Sequence, residues 1–372
     1  MYNDKIDILR GVSLFLVLLH HFNIPYSLKD SFLGFHLFNE PFIQLVARNG
    51  NYGVTLFFVI SGFLITYHTM QRYGTLSAIS LKAFYIRRIA RIMPCLILLI
   101  IIVSLLGCLG LKPFLNQAPN GIEVPYIITI FAAFSFWMNI LIIQNGWVNY
   151  ALGVLWSLSV EEVFYLFFPV LCLLLRRQIL FIGTLCGFIF YAPYFRSLYF
   201  MDDNEGYLYH YFSSFDAIAI GILTALIWQK CNVQLFQSVA VKVAVIILMI
   251  SVYIMAPIKE VATWSVTVFA ILSGLLILSF KGQTSMDMQH FSVFKLQHYW
   301  IWLGRHSYEL YLFHLIILGL FKVWFFPAIT SINTKLILLP AFLLLSIMLA
   351  ALIKRFYADP LNGLIRKTFK FE

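Results

Sequence analysis

Several ionisable side chains of this sequence stand inside apolar stretches that should hold none. Arg10 and His21 lie in the run DILRGVSLFLVLLHHF, eleven residues apart. Three helical turns take about 10.8 residues, so on a helix the two share a face, about 16 Å apart along its axis. They are too distant to share one proton, but they can hold two ends of an extended ligand. Imidazole titrates near neutral pH, which makes His21 a candidate general base. The alternative is a pair of polar groups hydrogen-bonded across a helix bundle. His20 points about 100° away from that face.

Three further islands carry the same kind of chemistry. In FYIRRIARIMP, Arg87, Arg88 and Arg91 fall on one side of a helix start, at i,i+3 and i,i+4 spacing. They read either as a cytoplasmic anchor or as an anion clamp, because guanidinium forks bind phosphate bidentately. In WSLSVEEVFYLFFP, Glu161 and Glu162 are adjacent carboxylates in an apolar stretch. One of them is expected to orient His21 or to meet a substrate hydroxyl, and since neighbours face different ways on a helix, only one is expected to reach the site. In LGRHSYELYLFHL, His306, Glu309 and His314 lie in a span without the HExxH spacing of a zinc site, so no metal is expected. Ser307, Tyr308 and Tyr311 there read as interhelical hydrogen bonds. Ser61–Gly62, in FFVISGFLI, reads as a small-residue notch for close helix packing.

The elements that must position these residues are membrane helices. Of the 372 residues, 61% are hydrophobic and 11% charged, against about 25% charged in a soluble domain. Apolar runs near 11–28, 52–70, 92–110, 125–144, 153–175, 178–195, 211–229, 240–257, 262–280, 303–324 and 333–353 are each about long enough to cross a 30 Å hydrocarbon core. The expected fold is all-α: one polytopic transmembrane helical bundle over 1–372, with a core of about 4–360 and ten or eleven spans. The first run is read as a span, since no small-residue cleavage pattern follows it. Five scattered cysteines without a CxxC pair indicate neither zinc nor a disulfide framework.

The basic clusters set the orientation. Arg72 to Arg91, Arg176–Arg177, Lys230, Lys281 and Lys354–Arg355 are expected to be cytoplasmic, as are both termini. Eleven complete crossings cannot place both ends on one side. The mismatch falls within 92–175, and 153–175 is the expected re-entrant element because WSLSVEE occupies its first half. The net charge of +10 is distributed beside spans and not along a stripe with exposed aromatics, so nucleic acid is not an expected partner.

Taken in order, the islands resemble the acyltransferase-3 family of integral membrane acyltransferases, over nearly the whole chain. The resemblance rests on Asp7, Arg10 and His21, on Gly53 to Ile65, on Arg87, Arg88, Arg91 and Pro94, on Trp156 to Tyr165, and on Ser307 to His314. It implies transfer of an acyl group, usually acetyl, from cytosolic acyl-CoA to a hydroxyl of a sugar, as in O-antigen, exopolysaccharide and peptidoglycan O-acetylation. It further implies that Arg10, His21, Arg88 and Arg91 are essential. The sequence departs from the family pattern at Thr55, Val163 and Ser214, where an ionisable residue, Gln and Arg respectively are frequent.

The resulting expectation is a bacterial plasma-membrane O-acyltransferase. Acyl-CoA (acetyl-CoA) is held by Arg10, Arg87, Arg88 and Arg91. Catalysis falls to His21, Glu161 and Glu162, and acceptor contacts to Trp156, Ser159 and Tyr165. The acceptor is a cell-surface glycan or lipid-linked saccharide. Buried Arg, His and Glu also occur in proton-coupled carriers, so a small-solute transporter is the alternative, and a non-catalytic scaffold of a glycan-assembly complex is a third reading.

Overall fold

The computed structural model describes residues 4–200, 202, 204–282 and 294–369. With no water in a hydrocarbon layer, a backbone must satisfy its own hydrogen bonds, and the apolar runs accordingly form helices. In chain order these are α1 (Asp4–Asn23), α2 (Phe42–Ala47), α3 (Asn51–Tyr73), α4 (Leu81–Cys108), α5 (Tyr126–Phe134), α6 (Met138–Asn145), α7 (Leu155–Leu174) and α8 (Gln178–Leu198). There follow α9 (Gly206–Tyr209), α10 (Phe215–Lys230), α11 (Val239–Met255), α12 (Ile258–Leu278), α13 (Phe294–Arg305), α14 (Ser307–Trp324), α15 (Ile332–Ile353) and α16 (Asp359–Thr368). Among the described residues the one sheet is a hairpin, β1 (His36–Leu37) and β2 (Glu40–Pro41). Serine side chains start three of the long helices. Ser80, Ser238 and Ser331 accept from the backbone N–H groups of Ala83, Val241 and Thr334, satisfying donors that a helix leaves open at its N-terminus.

The chain is an all-α polytopic membrane protein. Among the described residues, eight helical stretches are long and apolar enough to cross a membrane. The expected ten or eleven spans included three segments that the structure makes shorter. The run 211–229 becomes α10, whose 16 residues rise only about 24 Å. The run 240–257 becomes the 17-residue α11. The run 125–144 is broken into α5 and α6, of nine and eight residues.

That break corrects the expected place of the irregular element. The run 153–175 forms the uninterrupted 20-residue α7, whereas 125–144 is interrupted at 135–137. Phe136 there takes a φ of 58°, a left-handed value that ends a right-handed helix. Neither fragment, at about 12–14 Å, crosses alone. The turn leading into α7 is itself buried from Ala151 to Val154. Asn149 holds it, donating to the Phe114 carbonyl at 3.2 Å and accepting from the Leu152 N–H at 3.0 Å. Non-helical backbone of this kind is tolerated where protein surrounds it.

The described residues fall into two compact units. One draws on Met1–Val17, Asn49–Ile79 and Phe164–Arg305, the other on Leu18–Arg48, Ser80–Val163 and His306–Glu372. In the first, α10 packs against α3, α8 and α12. The Ser61–Gly62 notch does serve close packing. A Cβ on Gly62 would lie 2.1 Å from the Ile218 carbonyl oxygen, and one on Gly221 would lie 2.1 Å from that of Val59. A buried ion pair stands at the head of α10: Arg196 donates to Asp216 Oδ2 at 2.9 Å, and both side chains are fully buried. Thr267 accepts from Arg196 and donates to Asp216 at 2.6 Å, while Arg196 also donates to the carbonyls of Ser213 and Thr263. The departure at Ser214 therefore does not leave Asp216 without a guanidinium, because α8 supplies it. In the second unit α14 packs against α15 and α4, and α16 against α4.

Two outcomes are expected. Gly221→Val pushes two helix backbones apart and costs about 1–3 kcal/mol or more, read as a lower thermal midpoint in detergent micelles. Asp216→Ala leaves an unpaired buried guanidinium and costs about 3–5 kcal/mol, whereas the double replacement Arg196→Met with Asp216→Leu recovers most of that loss in the same assay.

Candidate active site

The side chains with reactive chemistry gather mainly in the second unit, on α1, α4, α7 and α14. Arg88 lies two turns inside α4. Its Nη2 donates to Glu162 Oε1 and, at 3.3 Å, to Glu161 Oε1, while its Nε donates to Glu162 Oε2 at 3.3 Å. Glu162 thus receives the side of the guanidinium fork, and Glu161 receives its edge. Both glutamates reach one partner even though they diverge on the helix, because a guanidinium presents five donors across a plane. Arg87 is half-buried and Arg91 is exposed on the same helix start.

His21 meets another imidazole. His314 Nε2 lies 3.0 Å from His21 Nδ1, and the ring centroids are 4.9 Å apart. His314 is fully buried, with Nδ1 facing the carbonyl oxygens of Tyr311 at 2.7 Å and Leu310 at 3.2 Å. At Nδ1 His21 thus meets His314, which the sequence marks only as a polar residue in a span, and not Glu161 or Glu162, for which orienting His21 is one of two expected roles. Beyond the helix ends, the Tyr26 hydroxyl donates to the Phe325 carbonyl at 2.7 Å, linking the chain after α1 to the chain after α14. Burial pushes the Tyr26 phenol up to about 12, so it stays a donor across the physiological range. Below His314, the Tyr311 hydroxyl bonds to Ser157 Oγ at 2.6 Å and the Tyr308 hydroxyl donates to the Ile92 carbonyl at 3.0 Å. These two tyrosines do make the interhelical bonds expected of them.

The two adjacent histidines of α1 have separate partners. His20 Nδ1 lies 2.8 Å from the Ala47 carbonyl, so it donates there and ties α1 to α2. His21 alone of the two meets His314.

The remaining site residues of the sequence reading are placed as follows. Trp156 and Ser159 are buried near the start of α7. The Ser159 hydroxyl donates to the Leu155 carbonyl at 2.9 Å and accepts from the Met138 N–H at 3.2 Å, so it helps to start α6. Arg10 and Tyr165 belong to the first unit. Tyr165 is buried and donates to the Ser61 hydroxyl. Arg10 pairs with Asp7 at 3.6 Å, and the same carboxylate takes Arg305 Nε at 3.2 Å. Arg305 also reaches Asp4 at 3.0 Å.

Arg305 and the role of His314 were not singled out from sequence. The contact at His314 spans 293 residues, and no local spacing rule covers such a distance. For Arg305 there was a signal: a basic residue just before the helix break at His306, with acidic Asp4 and Asp7 at the start of α1. Among the described residues, no group of three or more His, Cys, Asp or Glu side chains is placed to hold a metal ion. An imidazole whose ring is oriented by a hydrogen bond is a group suited to taking a proton from a hydroxyl.

Comparison with known proteins points the same way. Residues 3–355 match a family described as an acyltransferase domain. The chain is 28% identical over 349 residues to a Staphylococcus aureus (strain MSSA476) protein named "Putative O-acetyltransferase SAS0844", covering 86% of this chain and 51% of that protein. It is 26% identical over 399 residues to "O-acetyltransferase OatA" of S. aureus (strain NCTC 8325 / PS 47), covering 100% of this chain and 59% of that protein. It is also 26% identical over 181 residues to "Peptidoglycan O-acetyltransferase OatA" of Listeria monocytogenes, covering 48% of this chain and 25% of that protein. The chain spans about half the length of the first curated relatives it matches. No solved structure gives a significant match. With the match running through every island from Asp7 to His314, the chain belongs to the acyltransferase-3 family of membrane acyltransferases.

Proposed function

We propose that this chain is a membrane O-acetyltransferase, taking an acetyl group from cytosolic acetyl-CoA and placing it on a hydroxyl of a cell-surface glycan or lipid-linked saccharide. The observation that carries this reading is His21 held at Nδ1 by His314, a contact that favours the tautomer with its lone pair on Nε2. Support for the glycan acceptor comes from the names of the relatives, one of which is called a peptidoglycan O-acetyltransferase. We place the protein in a bacterial plasma membrane with both termini in the cytosol, on the distribution of its basic clusters.

The arginines fit a polyphosphate donor unequally. Arg88 is already offset by two carboxylates, so its charge is largely committed to holding α7 on α4. Arg87 and Arg91 flank it on the same helix start and suit phosphate oxygens, which guanidinium forks bind bidentately. His21 accepts the acceptor hydroxyl proton as that oxygen attacks the thioester carbonyl, and returns a proton to the departing sulfur. One ester forms, one thioester breaks, and His21 ends as it began.

Two measurements test this in nanodisc-embedded protein. His21→Asn lowers CoA release from acetyl-CoA by about 10²–10⁴-fold while donor binding persists, and an unchanged rate would remove His21 from the reaction. Arg87→Ala with Arg91→Ala raises the KM for acetyl-CoA at least tenfold with little change in kcat. The same variant leaves the KM for acetyl-pantetheine, which lacks the nucleotide phosphates, unaltered. Solute flux into empty liposomes without CoA release would favour a carrier instead.

A further inference from the structure

The His21–His314 contact determines more than proximity. A carbonyl oxygen has no proton to give, so His314 Nδ1, facing the carbonyls of Tyr311 and Leu310, must carry one. In the neutral ring the lone pair then sits on Nε2. That nitrogen is 3.0 Å from His21 Nδ1, and a hydrogen bond there requires His21 to supply the proton. His21 is thereby held with Nδ1 protonated and its lone pair on Nε2.

We propose that His314 is the positioning residue of the transfer reaction, selecting through this bond the tautomer of His21 whose Nε2 takes the acceptor's proton. The inference rests on His21 being the base. His314 is suited to the task because it cannot readily turn. It is fully buried, two carbonyls of its own helix fix Nδ1, and the ring of Phe342 lies edge-on at 6.4 Å. One turn earlier on α14, Tyr311 is fastened to Ser157, so the helix that carries His314 is anchored next to it. A carboxylate would impose the same tautomer, but it would bring a charge into a buried position, where desolvation is costly. An imidazole sets the orientation without adding one.

The proton inventory closes. The hydroxyl O–H bond breaks toward His21 Nε2, the new C–O bond forms, the C–S bond breaks, and sulfur leaves with a proton from Nε2. His314 keeps its Nδ1 proton throughout and gains none.

Nitrogen-15 NMR of histidine-labelled protein in nanodiscs reads the tautomer directly, with His21→Asn as the assignment control. Expected is a protonated Nδ1 and an unprotonated Nε2 on His21. The opposite tautomer overturns the proposal, whatever the activity. In parallel, His314→Leu lowers CoA release from acetyl-CoA by about 10²–10⁴-fold at unchanged KM. His314→Gln, whose amide oxygen can reach the place of Nε2 and accept from His21, recovers at least tenfold of that loss. A Leu variant at the wild-type rate, or Gln and Leu variants equally slow while both fold, also overturns it. If wild-type protein releases no CoA from acetyl-CoA, the donor assignment fails, and the tautomer of His21 still decides the role of His314.

Discussion

A charge removed from water must be met by another charge or by several hydrogen bonds, and this constraint organises the interior of the molecule. Arg196 is fully buried and spends its donors on Asp216, Thr267 and two carbonyls. Arg88 is gripped by Glu161 and Glu162. Asp7 is shared by Arg10 and Arg305. Lys354 lies between Asp359 at 3.1 Å and the buried Glu309 at 3.7 Å. Each pair joins helices distant in sequence or fastens a helix end, so the costly groups also determine which helices meet. The imidazole pair differs, since it achieves a directed contact through hydrogen bonds alone.

This division of labour separates two kinds of polar residue that look alike in a sequence. Ser159 and Tyr165 occur in the same motif as Glu161 and Glu162, yet their hydroxyls start α6 and bridge to Ser61. His20 and His21 are adjacent, yet one fastens α1 to the Ala47 carbonyl and the other faces His314. Type and spacing identify residues able to do chemistry. Which of them are taken up by the backbone depends on what folds back against them.

Much of the fold was legible because bilayer thickness and helical rise are fixed lengths. Each of the eleven apolar runs is helical over most of its length, though 125–144 is interrupted, and the close crossing at Gly62 follows from side-chain size. The break in 125–144 was not legible. It depends on the backbone turning left-handed at Phe136, a residue type with no preference for that region. The candidate site was legible in its parts and not in its pairings. Arg88, Glu161 and Glu162 stood out from sequence, but a single guanidinium joining both carboxylates did not, since helical spacing alone says they diverge. His314 was visible only as a polar residue in a span, because its partner lies at the other end of the chain.

The pairing of His21 with another imidazole, and not with a carboxylate, has a consequence for energetics across a polarised bilayer. A resident ion at that depth would feel the membrane voltage, at about 2.3 kcal/mol per elementary charge for each 100 mV traversed. In the proposed reaction each ring ends with the protons it began with, so the field does no net work on either ring over a cycle. Turnover through the proposed pair is therefore expected to proceed in energised and de-energised cells alike.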